Sequence, residues 1–210
     1  MEKMIAKGAE AELWLRDWNN LKVVVKTRKP KKYKHPLLDK QLRRSRTSRE
    51  ADIIHRAKMV GVPTPLIYLV DLENAVIIME FIDGVKVRDL VEDLDEKERY
   101  VLFRKIGEYS GLLHREGIIH GDLTTSNIIK QEERVVFIDF GLSEISNEVE
   151  KRGVDLNLMK RMLTSTHYAY EDELLESFMR GYRSSMGSEA EEALERMAEV
   201  ALRGRYIEKE

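Results

Sequence analysis

One stretch constrains this chain more than any other. Ile118 to Gly141 reads Ile-Ile-His-Gly-Asp-Leu-Thr-Thr-Ser-Asn-Ile-Ile-Lys, a short polar turn, then Arg-Val-Val-Phe-Ile-Asp-Phe-Gly. Apolar, mostly β-branched runs at 118–119, 128–129 and 135–138 are each bounded by polar residues, the pattern of short buried strands. Gln131-Glu132-Glu133 closes a hairpin between the second run and the third. Pairing about Glu132 sets Asn127 nearly opposite Phe137, with Asn127 and Asp139 at one end of the hairpin and within diagonal reach. Asp122 lies in the loop that enters this hairpin. Two carboxylates and an amide are therefore expected to converge at one rim.

Hard oxygen donors of this kind suit Mg²⁺, which keeps several waters and bridges nucleotide phosphates. A further carboxylate can orient an attacking hydroxyl. His120-x-Asp122-x-x-x-x-Asn127 followed by Asp139-Phe140-Gly141 is the order of the protein-kinase signature. The alternative is a hairpin with a polar loop. Asp-Phe-Gly alone arises often by chance, whereas the two motifs at this spacing, behind strand-like runs, rarely do.

At 210 residues the chain can build one large or two small domains around a real core. It has no cysteine, which excludes disulfides and thiolate chemistry. No apolar run reaches membrane-spanning length and the start lacks a signal-peptide core, so a cytoplasmic location is expected, with no membrane partner. The net charge of −2 hides an asymmetry: residues 1–60 hold 17 Lys/Arg against 7 Asp/Glu. Between Lys22 and Arg49 there are 12 basic residues and one acid, Asp39. A nucleotide or nucleic-acid face accounts for this, and so does a solvated helix flank.

In chain order, residues 1–27 read as a small β region with a turn around Gly8 that could cover phosphates. Leu21 to Lys26 is strand-like, and a lysine ending a valine run matches the phosphate-pairing lysine of kinases. Arg28 and Lys29 fall beyond that run and are weaker candidates. Residues 28–35, basic and containing Pro30, read as a loop. Pro36 can open a helix that Gly61 stops, and Glu50 on it is placed to pair with Lys26, or instead with Arg46 one turn away. Gly61-Val62-Pro63-Thr64-Pro65 reads as a rigid linker. Leu66–Val70 and Ala75–Met79 read as strands. A boundary between two lobes, 1–82 and 83–210, is expected at Glu80 to Gly84. There the Glu80 carbonyl and Ile82 N–H could bond an adenine edge, with Met79 behind the ring. Beyond it the chain is mostly helical: Asp95-x-x-Glu98 resembles a capping box, Val101 to Leu113 carry an apolar helical stripe, and Val154–Met162, Leu174–Gly181 and Ser188–Leu202 supply more helices, the last opened by Ser188-x-x-Glu191.

Taken together, Gly8-Ala9-Glu10-Ala11, Arg46-Thr47-Ser48-Arg49-Glu50-Ala51, Gly61 to Pro65, His120 to Asn127, Asp139-Phe140-Gly141 and Val154-Asp155-Leu156 resemble the archaeal form of the Kae-associated atypical kinase of the KEOPS tRNA-modification complex, over nearly the whole chain. The resemblance implies an α+β, minimal bilobal protein-kinase-like fold, with a β-rich N-lobe carrying one long helix and a mainly helical C-lobe. It implies ATP and Mg²⁺ as ligands, and ATP hydrolysis or serine/threonine phosphorylation as the activity. It implies as partners a threonylcarbamoyl-transferase subunit, a small adaptor, and tRNA, met directly or through the complex. Lys26 would hold the α/β-phosphates, Glu50 would steady Lys26, Asp122 would orient the nucleophile, and Asn127 and Asp139 would bind Mg²⁺.

Departures from the usual kinase pattern narrow this. Gly121 stands where regulated kinases carry Arg, and Thr124 where many carry a Lys near the γ-phosphate. Only 13 residues separate Gly141 from Asp155, without Ala-Pro-Glu, so the usual peptide-docking segment is largely absent. That favours ATP hydrolysis or action on a bound partner. The end, Arg203-Gly204-Arg205 and then Glu208-Lys209-Glu210, fits the family's short basic tail only in part. Two other functions fit the same residues: a small-molecule phosphotransferase, and a nucleotide-switched module that binds a partner or tRNA.

Overall fold

Three consecutive β-branched residues, Val23 to Val25, resist helix and favour an extended backbone that packs on both sides. In the computed structural model, which describes residues 2–207 except 9, 32 and 34, they form the centre of a five-stranded antiparallel sheet. Its strands are β1 (Glu2–Lys7), β2 (Ala11–Trp18), β3 (Leu21–Arg28), β4 (Ile67–Asp71) and β5 (Val76–Glu80), in the spatial order β1-β2-β3-β5-β4. β3 runs through Arg28, three residues beyond the valine run, so Arg28 belongs to a strand and not to the loop expected from residue 28 onward. Its N–H bonds the Ala75 carbonyl at 3.0 Å and keeps the strand extended to that point.

Helix α1 (Pro36–Met59) crosses between β3 and β4 with Pro in its first turn, and stops at Gly61, whose φ of 89° suits a residue without Cβ. Ile53, Ile54 and Ala57 bury its C-terminal half, and Glu50 lies on the same buried side. The Arg46 alternative for Glu50 does not hold: Arg46 reaches Glu10 on the β1–β2 turn.

After β6 (Val85–Lys86) the chain becomes mainly helical, with α2 (Glu96–Arg115), α3 (Val149–Thr166), α4 (Glu171–Met186) and α5 (Ala190–Ile207). The expected capping box opens α2: Asp95 accepts the Glu98 N–H at 2.8 Å and Glu98 accepts the Asp95 N–H at 3.0 Å. The α2 stripe is narrower than expected, because Val101 is 56% exposed while Leu102, Phe103 and Ile106 face inward. Val154 on α3 is likewise exposed. Ser188 falls in a 3₁₀ turn before α5, and Glu191 pairs with Arg183 rather than closing a capping box. Helices α2 and α4 meet backbone to backbone: a Cβ on Gly107 would lie 2.0 Å from the Phe178 carbonyl oxygen, and one on Gly181 would lie 1.9 Å from that of Arg104. Residues 208–210, part of the tail singled out above, lie outside the described residues.

Between sheet and helices run β7 (Ile118–Ile119), β8 (Ile128–Gln131), β9 (Arg134–Phe137) and β10 (Glu144–Ile145). β8 and β9 form the expected hairpin, but Ile128, not Asn127, opposes Phe137. A two-residue turn over Glu132-Glu133, with Glu132 at a φ of 49°, replaces the symmetric turn about Glu132 and shifts the register by one. The Asn127 carbonyl then accepts the Ile138 N–H at 2.8 Å, which still leaves Asn127 and Asp139 at the same end of the hairpin. No helix among the described residues is long and apolar enough to cross a membrane.

Candidate active site

Side chains alternate along a strand, so Val24, Lys26 and Arg28 leave β3 on one face. Lys26 is 6% exposed and Nζ reaches Glu50 Oε1 and Asp139 Oδ1, each at 2.6 Å. Burial works against its charge, but Glu50 and Asp139 outweigh that and raise its pKa above the ordinary lysine value. The same burial pushes the Asp139 carboxyl up, and the Lys26 ammonium together with the Gly141 N–H more than offsets it, so its pKa falls below the usual range. Asp139 holds a left-handed φ of 58°, an uncommon conformation for a residue with a Cβ, which turns its carboxylate toward Lys26. The second oxygen of Glu50 accepts from Arg28 Nη2 at 2.7 Å. Two buried cations thus share one buried carboxylate.

Asp122 and Asn127 form a second group on the loop after β7. Asn127 Nδ2 donates to the Asp122 carboxylate at 2.7 Å and to the Asp122 carbonyl at 3.0 Å. Its amide oxygen is then the end turned toward other partners. The loop backbone is clamped from below: Asp155 on α3 accepts the N–H of His120 at 2.8 Å and of Gly121 at 2.9 Å. His114 Nε2 sits 3.1 Å from Asp155, and its Nδ1 sits 3.0 Å from the Tyr182 hydroxyl. His120 accepts the Asp122 N–H at 3.3 Å through Nδ1, and its ring lies 4.7 Å from that of Phe140, coupling the loop to the Asp-Phe-Gly turn.

A cleft opens beside the first group. Its inner chamber, about 170 Å³, is lined by apolar groups that include Val24, Met79 and Ile82, with Lys26 and Asp139 at its end. Its outer chamber, about 250 Å³, carries Gly8, Lys26, Arg28, Asp139 and Gly141. Gly8, Lys26, Glu50, Met79, Glu80, Ile82 and Asp139 line these chambers, whereas Asp122 and Asn127 are bonded to each other and line neither. Glu80 turns part of its polarity elsewhere, since its N–H bonds the Leu66 carbonyl at 2.8 Å and its carboxylate accepts the Leu66 N–H at 3.0 Å. The Ile82 carbonyl accepts the Gly84 N–H at 3.1 Å. Ala9, beside Gly8, lies outside the described residues. A wider open groove of about 890 Å³ between α1 and β10, lined by Arg44, Ser48, Arg49 and Glu144, contains none of these residues.

The donors present are the hard oxygens of Asp122, Asn127 and Asp139. Among the described residues no group of three or more His, Cys, Asp or Glu is placed to hold a metal unaided. A cation here would complete its shell with phosphate and water oxygens, which is the habit of magnesium. Arg28, a weaker candidate in the sequence, is part of the site, and so is His114, which the sequence does not single out. The two-residue period from Val24 through Lys26 to Arg28 is the signal that marks Arg28. For His114 no local signal exists, because its partner is 41 residues away.

A family model described as the RIO domain matches residues 14–154. A KEOPS complex subunit Bud32 of Pyrococcus abyssi is 44% identical over 99% of this chain and 97% of its own length. The chain belongs to the RIO-domain family, on its Bud32 branch. A probable serine/threonine-protein kinase BUD32 homolog of Archaeoglobus fulgidus is 41% identical over 96% of this chain and 95% of that protein. In Methanothermobacter thermautotrophicus the match, 43% identical over 98% of this chain, covers 37% of a probable bifunctional tRNA threonylcarbamoyladenosine biosynthesis protein. Among solved structures, a Rio2 kinase–ADP/Mg²⁺–phosphoaspartate complex of Chaetomium thermophilum superposes with a TM-score of 0.65 at 14% identity, over 94% of this chain and 69% of that one, which establishes the shared fold. RIO-domain membership makes the chain an atypical kinase, and its α+β architecture is the one expected.

Proposed function

We propose that this protein is a magnesium-dependent, ATP-hydrolysing serine/threonine kinase subunit that supports threonylcarbamoyladenosine formation in tRNA within a KEOPS-type complex. The observation that carries the chemistry is the bonding of Lys26 to both Glu50 and Asp139. Lys26 and Asp139 neutralise each other, and each is positioned to exchange that partner for another of opposite charge. In this reading residues 1–82 and 83–210 are the two lobes, and the base lies in the apolar chamber against Met79, its edge meeting the Glu80 carbonyl and Ile82 N–H. Gly8 belongs to the turn over the phosphates. Lys26, fixed by Glu50, meets the α/β-phosphates.

Asn127 and Asp139 would hold magnesium, which when bound neutralises charge on the transferred phosphoryl group. Asp122, oriented by Asn127, accepts the proton of the attacking hydroxyl or water. The transition state is loose, so positioning and charge are most of what the chain must supply. The relatives' names support membership of a multi-subunit complex; in this reading the partners are a threonylcarbamoyl-transferase subunit and a small adaptor of KEOPS, with tRNA reached directly or through them. A soluble, cytoplasmic protein is in keeping with this. Asp139→Ala tests the reading: turnover of magnesium ATP should vanish while the circular-dichroism spectrum is retained. Undiminished turnover in the folded variant would reject it.

A further inference from the structure

The roof of the cleft is one strand face, and its order is informative. Val24 lines only the inner, apolar chamber, Lys26 lines both chambers, and Arg28 lines only the outer one. Arg28 lies two residues beyond Lys26, about 7 Å further from the hinge-side end of the strand. A nucleotide with its base in the inner chamber and its inner phosphates at Lys26 would extend its last phosphate toward Arg28. The guanidinium is near the right neighbours: a Cβ on Gly141 would lie 3.1 Å from Asp139 Oδ1, 3.3 Å from Lys26 Nζ and 3.5 Å from Arg28 Nη2, so all three charged groups surround the Asp-Phe-Gly turn.

Two further facts set Arg28 apart from an ordinary structural arginine. It is 4% exposed, yet its Nε is buried with no hydrogen-bond partner. A buried guanidinium is rarely left with an unused donor. Charge points the same way. Lys26 against Glu50 and Asp139 leaves one net negative charge, a poor setting for a polyphosphate. Arg28 cancels it. The catalytic loop cannot do so, because Thr124 occupies the place of the lysine that many kinases use.

We propose that Arg28 is the ligand of the terminal phosphate of a bound nucleoside triphosphate and makes the cleft prefer triphosphate to diphosphate. This rests on the reading of the cleft as a magnesium-nucleotide site. An arginine suits the role because its planar fork can bond Glu50 along one edge and phosphate along another.

Equilibrium binding of magnesium ADP and of a magnesium-bound, non-hydrolysable ATP analogue to the full chain tests the assignment. Arg28→Met should weaken the ATP analogue about tenfold or more while ADP stays within about twofold, a loss typical of one charge-assisted contact. Arg28→Lys should recover part of the difference. If Arg28→Met does not fold, as judged by circular dichroism, Arg28→Gln carries the same comparison, because it retains a donor for Glu50. Equal weakening of both nucleotides would mean that Arg28 acts only by steadying Glu50, and would overturn the proposal. So would unchanged binding of both. Wild-type protein that binds neither nucleotide would overturn the nucleotide-site reading and this proposal together. Wild-type binding with an unaltered preference in the variant would overturn the Arg28 assignment alone.

Discussion

Asp155 accepts the backbone N–H of His120 at 2.8 Å, fastening helix α3 to the loop that carries Asp122. Its other oxygen takes the Gly121 N–H. Burial raises the Asp155 carboxyl, and His114 together with the ring and backbone N–H of His120 overcomes this, holding it below the usual carboxylate range. Asp155→Asn keeps the shape but can accept through one oxygen only, leaving a buried donor unpaired at a cost of about 1–3 kcal/mol. We expect a lower urea midpoint and a fall in turnover of about tenfold, with nucleotide affinity nearly unchanged. Equal turnover by variant and wild type would remove the positioning role.

Glu50→Gln removes the carboxylate that two buried cations share. Breaking a buried ion pair by deleting one partner costs about 3–5 kcal/mol. Thermal unfolding should move down by several degrees, and nucleotide turnover should fall because Lys26 is then held by Asp139 alone. Unfolding midpoint and turnover, measured on one preparation, check both.

Gly121 sits at a φ of 78°, and a Cβ there would lie 2.4 Å from the Leu142 carbonyl oxygen. The arginine of other kinases cannot occupy this position without moving the backbone of both segments. Gly121→Ala should destabilise by roughly 1–3 kcal/mol, and Gly121→Arg should lower activity rather than add phosphorylation-dependent control. Denaturant titration and a turnover assay decide.

Stability should respond to pH in a definite order. His120 is buried, which lowers its pKa below 6.5, so the unfolded chain binds the proton first and stability falls as pH drops below that value. His167, also lowered by burial, adds to the same slope. Asp139 and Asp155 have lowered pKa values, so their contributions are complete above the ordinary 3.8 and are lost as pH falls from there through the folded values. Lys26 is raised, and its contribution is complete below 10.5 and lost above it. The plateau should therefore span about pH 7 to 10. Thermal melts across pH would check this, and His120→Gln should flatten the slope just below 6.5.

The sequence made some of this plain and hid the rest for physical reasons. Lys26, Asp122, Asn127 and Asp139 announce themselves through local motifs, because loop chemistry requires particular residues at fixed spacing. Pro36 and Gly61 bound α1 by backbone rules that need no knowledge of neighbours. The hairpin register came out one residue off because Gln131-Glu132-Glu133 contains no Gly or Asn to fix the turn type, and only tertiary packing selects Ile128 opposite Phe137. Val101 was placed in the stripe by periodicity, but the inward side of α2 is set by the close glycine contact with α4. Arg28 ranks below Lys26 in the sequence because a basic residue after a valine run and before Pro30 looks like the start of a loop. Its burial depends on Glu50, 22 residues away.

The contact of Gly107 with Phe178 and of Gly181 with Arg104 has an implication for inheritance and for engineering. Where these glycines meet the facing backbone, neither helix can absorb a larger residue by choosing a new rotamer, so at these points the two can diverge only in concert. The helical half then serves as a fixed bench under the cleft, and accommodation of different occupants falls to the sheet above it.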